Sequence, residues 1–442
     1  MVQLHIGIDD TDSKKGGCTT YIAARLVEKL EKIGVAFLDY PNIIRLNPNI
    51  PYKTRGNAAV ALRVMSRNST CNSIVEAILE EIEENSHLGR RGTEPAVVIL
   101  RGRPSSAIKM FSRRALFDVI SDDLALRILR KSKACAAAYG GTLGFVGALA
   151  AAGQTLDGDH TFELVAYREQ RNCGTPRRVD EESVKRMDEV TTPLTFNNYD
   201  YENRRMLVTP HGPDPVLLGI RGETAKVVLD AFRMLRINEP VERWVIFRTN
   251  HGTEAHLQHA KTQRPIRPNR PIVLNGIVAD EPKTIRGGHT FFTMNYGNGA
   301  IRCAAFEPTG TLRDAVAKLS PADEITVFGG VHTHIGEPSL TINMEKMIVH
   351  LTGQRLKHEN PVCPRCGKHM KSAGRGQGFR CKRCSIIVSE AQKRTVVVAR
   401  TLKPGLYLPT PKAHRHLTKP LSRYGLEKNW NHMKPSSVWH EP

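Results

Sequence analysis

His5-Ile6-Gly7-Ile8-Asp9-Asp10-Thr11-Asp12-Ser13, followed by Lys14-Lys15-Gly16-Gly17 and Cys18-Thr19-Thr20-Tyr21, joins a strand to a helix through a loop unfit for a core. His5 to Ile8 reads as the strand. From Cys18 to Gly34, Ile22, Leu26, Leu30 and Ile33 recur at the spacing of one helical face. Between them the carboxylates of Asp9, Asp10 and Asp12 crowd the C-terminal end of the strand. They repel one another, and Mg²⁺ held by one or two carboxylates plus nucleotide phosphates would remove that conflict. A solvated Asx-rich turn uses the same residues, so the loop alone leaves both readings open. Lys14 to Gly17 is a flexible basic turn, and the backbone N–H groups that begin the helix after it form an anion site. Thr19 or Thr20 either caps that helix or faces a phosphate. The GxxxxGK[ST] pattern is absent, so this is not a Walker A loop.

Outward from this loop, strands and helices alternate. Asn57 to Val64 and Ala96 to Leu100 read as strands, and Ser73 to Glu84 and Ala115 to Arg130 as helices, making residues 1–130 an α/β unit. One loop, Arg45-Leu46-Asn47-Pro48-Asn49-Ile50-Pro51-Tyr52-Lys53-Thr54-Arg55-Gly56-Asn57, is stiffened by prolines and carries Arg45, Lys53 and Arg55. Phosphoryl transfer is mostly positioning and charge neutralisation, which such a loop facing the aspartates would serve. An ordinary basic surface loop has the same composition.

Residues 131–260 begin a second pattern: glycine-rich Gly140 to Gly147, a small-residue helix Ala148 to Ala152, the strand His160 to Tyr167, and the helix Glu181 to Val190. Short strands near Arg205 and Val216, the helix Glu223 to Leu235 and the strand Arg243 to Arg248 complete it. That order suits a ferredoxin-like α+β domain. Gly140 to Gly147 does not match GxGxxG and is expected to be a close-packed strand-to-helix turn in contact with phosphate, not a dinucleotide site. In the rigid loop Thr209 to Pro215, Asp214 either faces a cationic substrate or caps a helix, and so does Glu223 beyond it.

The proline-rich stretch Lys261 to Pro271 reads as a linker. After it, residues 261–352 hold five β runs: Ile272 to Ala279, His289 to Asn295, Gly299 to Phe306, Glu324 to Gly330 and Ser339 to Ile348. The helix Leu312 to Leu319 lies between the third and fourth, which is the order of a five-stranded OB-fold barrel. Cys363-Pro-Arg-Cys366 and Cys381-Lys-Arg-Cys384 then place four thiolates on two knuckles within residues 353–390. In a chain without an export signal this spacing means a structural, four-coordinate Zn²⁺ ribbon before it means a catalytic thiol pair.

Net charge is +20 over 442 residues, and residues 354–442 carry nineteen Lys and Arg against four Asp and Glu, a net +15. That concentration beside a metal knuckle favours a polyanion, with nucleic acid ahead of acidic membrane because no basic amphipathic helix accompanies it. Residues 391–442 are accordingly expected to be a basic RNA-holding tail. No apolar run approaches the roughly 20 residues of a membrane span, and the N-terminus reads as a strand, which places the chain in the cytoplasm.

With these residues in view the chain resembles the archaeal 2-agmatinylcytidine synthetases of isoleucine tRNA over nearly its whole length. Gly7 to Ser13, Cys18 to Tyr21, Arg45 to Asn57, His211 to Glu223 and Leu406 to Pro420 carry the resemblance, together with the barrel and the cysteine pairs. It implies an ATP-dependent ligase that joins agmatine to C2 of the wobble cytidine, C34, in the CAU anticodon of an isoleucine tRNA, so that the tRNA reads AUA. It implies an N-terminal kinase-like domain that phosphorylates both Thr19 and the cytidine C2 oxygen. Asp9, Asp10 and Asp12 would hold Mg²⁺ and ATP, with Thr20, Arg45, Lys53 and Arg55 on its phosphates. The ferredoxin-like domain would contribute to the agmatine site, where Asp214 and Glu223 are the candidates. Barrel, ribbon and tail would bind tRNA, and no DNA partner is expected. The rival is a non-catalytic RNA-binding protein built on the barrel and ribbon, which leaves the aspartates and the Arg45 loop without a purpose.

Overall fold

A computed structural model describes residues 1–442 apart from 14, 54, 55, 260–264, 298, 335, 336, 391 and 430–433, and apart from the side chains of 334, 337, 338, 356 and 357. Arg55, Lys14 and part of the expected linker therefore lie outside the described residues.

The strand Val2–Asp9 pairs antiparallel with Ala58–Ser66 on one side and Ala96–Arg101 on the other. Helix α1 (Thr19–Lys32) buries Ile22, Leu26 and Leu30 completely, the face expected from their spacing. Each such side chain removed from water stabilises the fold by about 1.5–3 kcal/mol. Helix α2 (Cys71–Asn85) lies beside α1 and buries Ile74, Ile78 and Ile82. Of the helix expected from Ala115 to Arg130, only the part from Asp122 forms, as α4 (Asp122–Ser132); α3 (Ser106–Ala115), which ends where that helix was to begin, was not expected. The apolar residues Leu116, Phe117 and Ile120 that continued the periodicity sit in the turn. Ser121 followed by Asp122 and Asp123 marks a new N-terminus, with acids suited to the helix dipole.

Helix α5 (Gly144–Gly153) packs against Val2–Asp9, Ala96–Arg101 and Ala58–Ser66 with α3 and α4 around it. The approach is close enough that a Cβ on Gly7 would overlap the Ala148 carbonyl, so glycine is required there. Helices α6 (Glu181–Thr191) and α7 (Ala225–Arg233) belong to the second half, whose strands include Thr161–Arg168, Val216–Gly222 and Val241–Thr249.

The two α/β halves share one sheet. Its order is Cys135–Ala138, Ala96–Arg101, Val2–Asp9, Ala58–Ser66, Asn42–Arg45, Val241–Thr249, Thr161–Arg168, Val216–Gly222 and Thr195–Phe196. The seam is the parallel pairing of Asn42 and Ile43 with Arg248 and Thr249. Asn250 continues it by side chain, accepting from Arg45 N at 2.8 Å and donating to Arg45 O at 2.9 Å. One apolar core runs unbroken along a face of both halves, from Ile22 and Leu26 to Val228 and Trp439. A second, under α3, α4 and α5, backs the first half alone.

The barrel is present as read. Pro271–Val278, Thr290–Tyr296, Gly299–Ala305, Glu324–His334 and Glu337–Leu351 close on themselves through the pairing of Ile277 and Val278 with Asn295 and Met294, and α8 (Thr311–Val316) follows the third strand. The cysteine ribbon has a small core of its own around Met370 and Phe379.

Residues beyond the ribbon run back across the molecule. Gly405–Tyr407 pairs with Glu337–Leu351 of the barrel, and His440–Glu441 pairs with Val241–Thr249 of the main sheet. Between them Lys412, Arg415, Lys419, Arg423 and Lys428 meet partners within the fold. Arg415 reaches Glu345 at 2.9 Å, Lys419 reaches Glu427 at 2.8 Å, and Arg423 reaches Asp159 at 2.9 Å and Glu223 at 2.5 Å. Arg423 is fully buried, where an unpaired charge would be prohibitive.

Candidate active site

The strand and loop ends at the seam enclose a cavity of about 510 Å³. Asp9, Asp10, Asp12, Thr19, Thr20, Arg45, Lys53 and Asp214 all line it, so eight of the ten expected site residues outside the ribbon are brought together. Glu223 is not among them: it is buried and held by Arg423 and Lys428, an anchor for the returning chain. Arg55 lies outside the described residues.

One wall is acidic. Asp9 ends its strand against the first turn of α5, where a Cβ on Gly147 would overlap Asp9 Oδ2. Asp10 adopts φ +58°, a left-handed conformation that Asp tolerates, and its Oδ2 accepts a 2.9 Å hydrogen bond from Glu94 N. Glu94 Oε2 accepts in turn from Leu143 N at 2.9 Å, and a Cβ on Gly141 would overlap the Glu94 carboxylate. Gly141 and Gly147 thus serve close packing onto two carboxylates, and Gly144 onto the backbone of Glu94. Burial pushes the Asp9 carboxyl well above the usual range, reinforced by Asp10 and Asp12. Burial likewise carries Asp10 up to about 7, with Asp12 and Glu94 adding repulsion against the Glu94 N–H bond. Carboxylates under this strain fit a hard divalent cation, which supplies the positive charge they lack.

Helix α1 starts on the same wall. Its cap residue is Cys18, whose side chain makes no capping bond, so neither Thr19 nor Thr20 is the cap. Instead Thr11 Oγ1 donates to Thr19 Oγ1 at 3.0 Å, and Thr20 Oγ1 lies 3.0 Å from Cys18 Sγ. An uncapped helix N-terminus retains N–H groups directed at an anion.

The facing wall is basic, and most of it is invisible to local sequence. Glu163, in the wholly buried strand Thr161–Arg168, receives Arg221 Nε at 3.0 Å, with Arg45 Nη2 at 3.7 Å and His251 Nδ1 at 3.4 Å. Although burial opposes its ionisation, Arg221, His251 and Arg45 hold the Glu163 carboxyl well below the usual range. Burial takes His251 down to about 4. The returning chain adds Lys412, His414 and His416 to the lining. Asp214 is engaged by Arg177 Nη2 at 3.3 Å and Val216 N at 3.2 Å. The available signals were a charged residue inside an otherwise apolar strand, for Glu163, and Arg221 and His416 inside two of the motifs quoted above.

The four cysteines of the ribbon converge. The Sγ atoms of Cys363, Cys366, Cys381 and Cys384 all lie within 4.8 Å of one another, and Cys366 and Cys381 are 3.6 Å apart. Tetrahedral Zn–S bonds of about 2.3 Å require sulfurs about 3.8 Å apart, so the donor set and its spacing fit zinc.

Comparison with known proteins covers the same ground. The TiaS TCKD domain matches residues 5–141, the TiaS FLD domain 142–256 and the TiaS C-terminal zinc ribbon domain 360–402. The isoleucine-tRNA 2-agmatinylcytidine synthetase TiaS of Staphylothermus marinus is 42% identical over 99% of this chain and 98% of its own. A crystal structure of TiaS in complex with its isoleucine tRNA and ATP superposes with a TM-score of 0.86 at 38% identity, covering 96% of this chain and 98% of that one. A complex of TiaS with the tRNA, AMPCPP and agmatine superposes at 0.84 with 36% identity, covering 96% and 98%. With its aspartate loop, its shared sheet and its cysteine ribbon matched end to end, the chain belongs to the TiaS family.

Proposed function

We propose that the chain is an ATP-dependent ligase that replaces the C2 oxygen of C34 in the CAU-anticodon isoleucine tRNA with agmatine, so that the modified anticodon decodes AUA. The observation that carries the reading is the cavity at the seam, with an acidic wall and an open helix end on one side and, on the other, a basic wall to which both halves and the returning chain contribute. A non-catalytic RNA-binding protein has no use for it. Relatives crystallised with isoleucine tRNA, ATP or its analogue, and agmatine support the same reading.

The chemistry needs two stages. An amine does not displace the C2 oxygen of cytosine, because oxide is a poor leaving group. Phosphoryl transfer to that oxygen turns it into phosphate, and the primary amine of agmatine then adds at C2. In the first stage Asp9, Asp10 and Asp12 would hold Mg²⁺, which would supply positive charge against the phosphates of ATP. The first turn of α1 receives phosphate oxygens through its N–H groups, and Thr20, Arg45 and Lys53 add donors and charge. Thr19 is the residue proposed to take phosphate within the protein. The cytidine has to leave its stack to enter. Asp214 faces the cationic substrate. Barrel, ribbon and the basic tail hold the rest of the tRNA, with binding that weakens as salt rises. The setting is the cytoplasm, consistent with the absence, among the described residues, of a helix long and apolar enough to cross a membrane.

The test is to incubate the protein with Mg-ATP, agmatine and an isoleucine tRNA transcript carrying C34, then resolve its nucleosides by mass spectrometry. An agmatine adduct of cytidine that requires ATP is expected; its absence across salt and Mg²⁺ conditions would sink the reading.

A further inference from the structure

The three family domain matches stop at residue 402, yet the chain beyond returns to the cavity. His416 stands there on a segment fixed at both sides. Gly252 N donates to His416 O at 2.8 Å and Glu254 N to Leu417 O at 2.9 Å. Arg415 Nη1 donates to Asn49 Oδ1 at 2.8 Å and Glu345 Oε1 at 2.9 Å. The imidazole lies flush against Gly56, where a Cβ would come within 2.6 Å of its Cδ2 and 2.7 Å of its Nε2. Only glycine admits the ring.

Three histidines line the cavity, and their surroundings separate them. His251 is buried with Nδ1 toward Glu163 at 3.4 Å. His414 has both ring nitrogens engaged, by Asn197 Oδ1 at 3.2 Å and Pro409 O at 3.0 Å. His416 makes no side-chain hydrogen bond among the described residues; its ring meets that of His251 edge-on, with centroids 5.1 Å apart. Arg45 and Arg221 face it along with His251, and Glu163 is the one carboxylate nearby. Arg45 first, then burial, keeps the ring neutral, its pKa well below the ordinary histidine value.

Resting on the function proposed above, we infer that His416 is the proton acceptor of the amine-addition step. The amine, entering as its unprotonated form after shedding the ammonium proton to solvent, forms its bond to C2 with its lone pair, and the C2–O bond breaks with its electrons leaving on phosphate. The proton that the nitrogen must lose passes to an imidazole nitrogen of His416. A neutral imidazole is required, since a protonated one has no lone pair to offer. The surrounding positive charge that keeps it neutral also favours its prompt release of the proton to solvent or departing phosphate.

The experiment follows the two stages separately in His416→Ala and the parent enzyme, using Mg-ATP, C34-bearing tRNA and agmatine. Loss of a general base costs about 10²–10⁴-fold. Adduct formation in the variant is therefore expected to fall by about 100-fold or more, with phosphorylated tRNA accumulating and KM for agmatine little changed. The deficit should narrow at high pH and on addition of imidazole. Adduct formation within about threefold of parent overturns the inference, because it is far below the loss of a base. So does equal loss of both stages with a lowered melting temperature, which marks a packing role. A parent enzyme that makes no adduct fails differently, since it refutes the function itself.

Discussion

The Thr11 hydroxyl donates to the Thr19 hydroxyl across 3.0 Å, with both side chains buried at the foot of the aspartate loop. Thr19 also lines the cavity, and because Thr11 occupies one lone pair of that oxygen, its proton and remaining lone pair are left for other partners. Thr11→Val keeps the shape and removes the donor. A neutral hydrogen bond contributes about 0.5–1.5 kcal/mol, so the phosphate incorporation proposed for Thr19 should slow by about two- to tenfold with the fold intact. Intact-protein mass spectrometry over time reads it; an unchanged rate would dissociate Thr11 from Thr19 reactivity.

Gly147 admits Asp9. A methyl group at 147 has to displace that carboxylate or the first turn of α5. Gly147→Ala should therefore remove ATP consumption while leaving tRNA affinity near that of the parent, measured by phosphate release and filter binding. Loss of tRNA binding to the same degree would point to a misfolded first half instead.

The aspartates make stability depend on pH in a defined direction. Asp10 titrates near 7 in the fold, against about 3.9 in an unfolded chain. Between those values the folded protein binds more protons, so its stability falls as pH rises through that window. A divalent cation on the carboxylates opposes that fall. Thermal melts should show Mg²⁺ raising the melting temperature more at about pH 8 than at about pH 5. A pH-independent increment would argue against these carboxylates as its site.

Arg423 ties the returning chain to Glu223 and Asp159 with its guanidinium fully buried. Arg423→Met leaves two carboxylates and Lys428 to rearrange, and breaking such a pair costs about 3–5 kcal/mol. Urea unfolding should move by that order, and agmatine adduct formation should fall with it, because His416 is seven positions upstream on the same segment. A stable, fully active variant would show that the segment is held by other contacts.

Local pattern and distant assembly account for what the sequence revealed and what it hid. Helix α1 and the barrel strands were legible because their burial follows spacing along a single element. The aspartates were legible because three carboxylates at a strand end have no core use. The helix Ser106–Ala115 was missed, and the start of the next was placed at Ala115 rather than Asp122 because Leu116, Phe117 and Ile120 keep a helical period through the turn. Glu223 looked like a ligand because an isolated acid carries no mark of its partner, and that partner, Arg423, lies two hundred residues away. Arg221 and His251 escaped for the same reason. Their role depends on Glu163, a strand residue that becomes chemically meaningful only when Val216–Gly222 and Val241–Thr249 pair on either side of it. Of the nineteen Lys and Arg in the last fifth of the chain, Arg415, Lys419, Arg423 and Lys428 have carboxylates within the fold, partners that the charge count alone did not reveal.

The seam at Asn42 and Arg248 has a mechanical meaning. Backbone pairing, the Asn250 side chain and a shared apolar core cross from one half to the other, and together they oppose a jaw-like opening. The vessel is stiff, and the compliant body in the encounter is the nucleic acid. On the proposed reading, the anticodon loop itself must bend and release its base. Two tRNAs with identical wobble bases but unequal loop softness would then be modified at unequal speed.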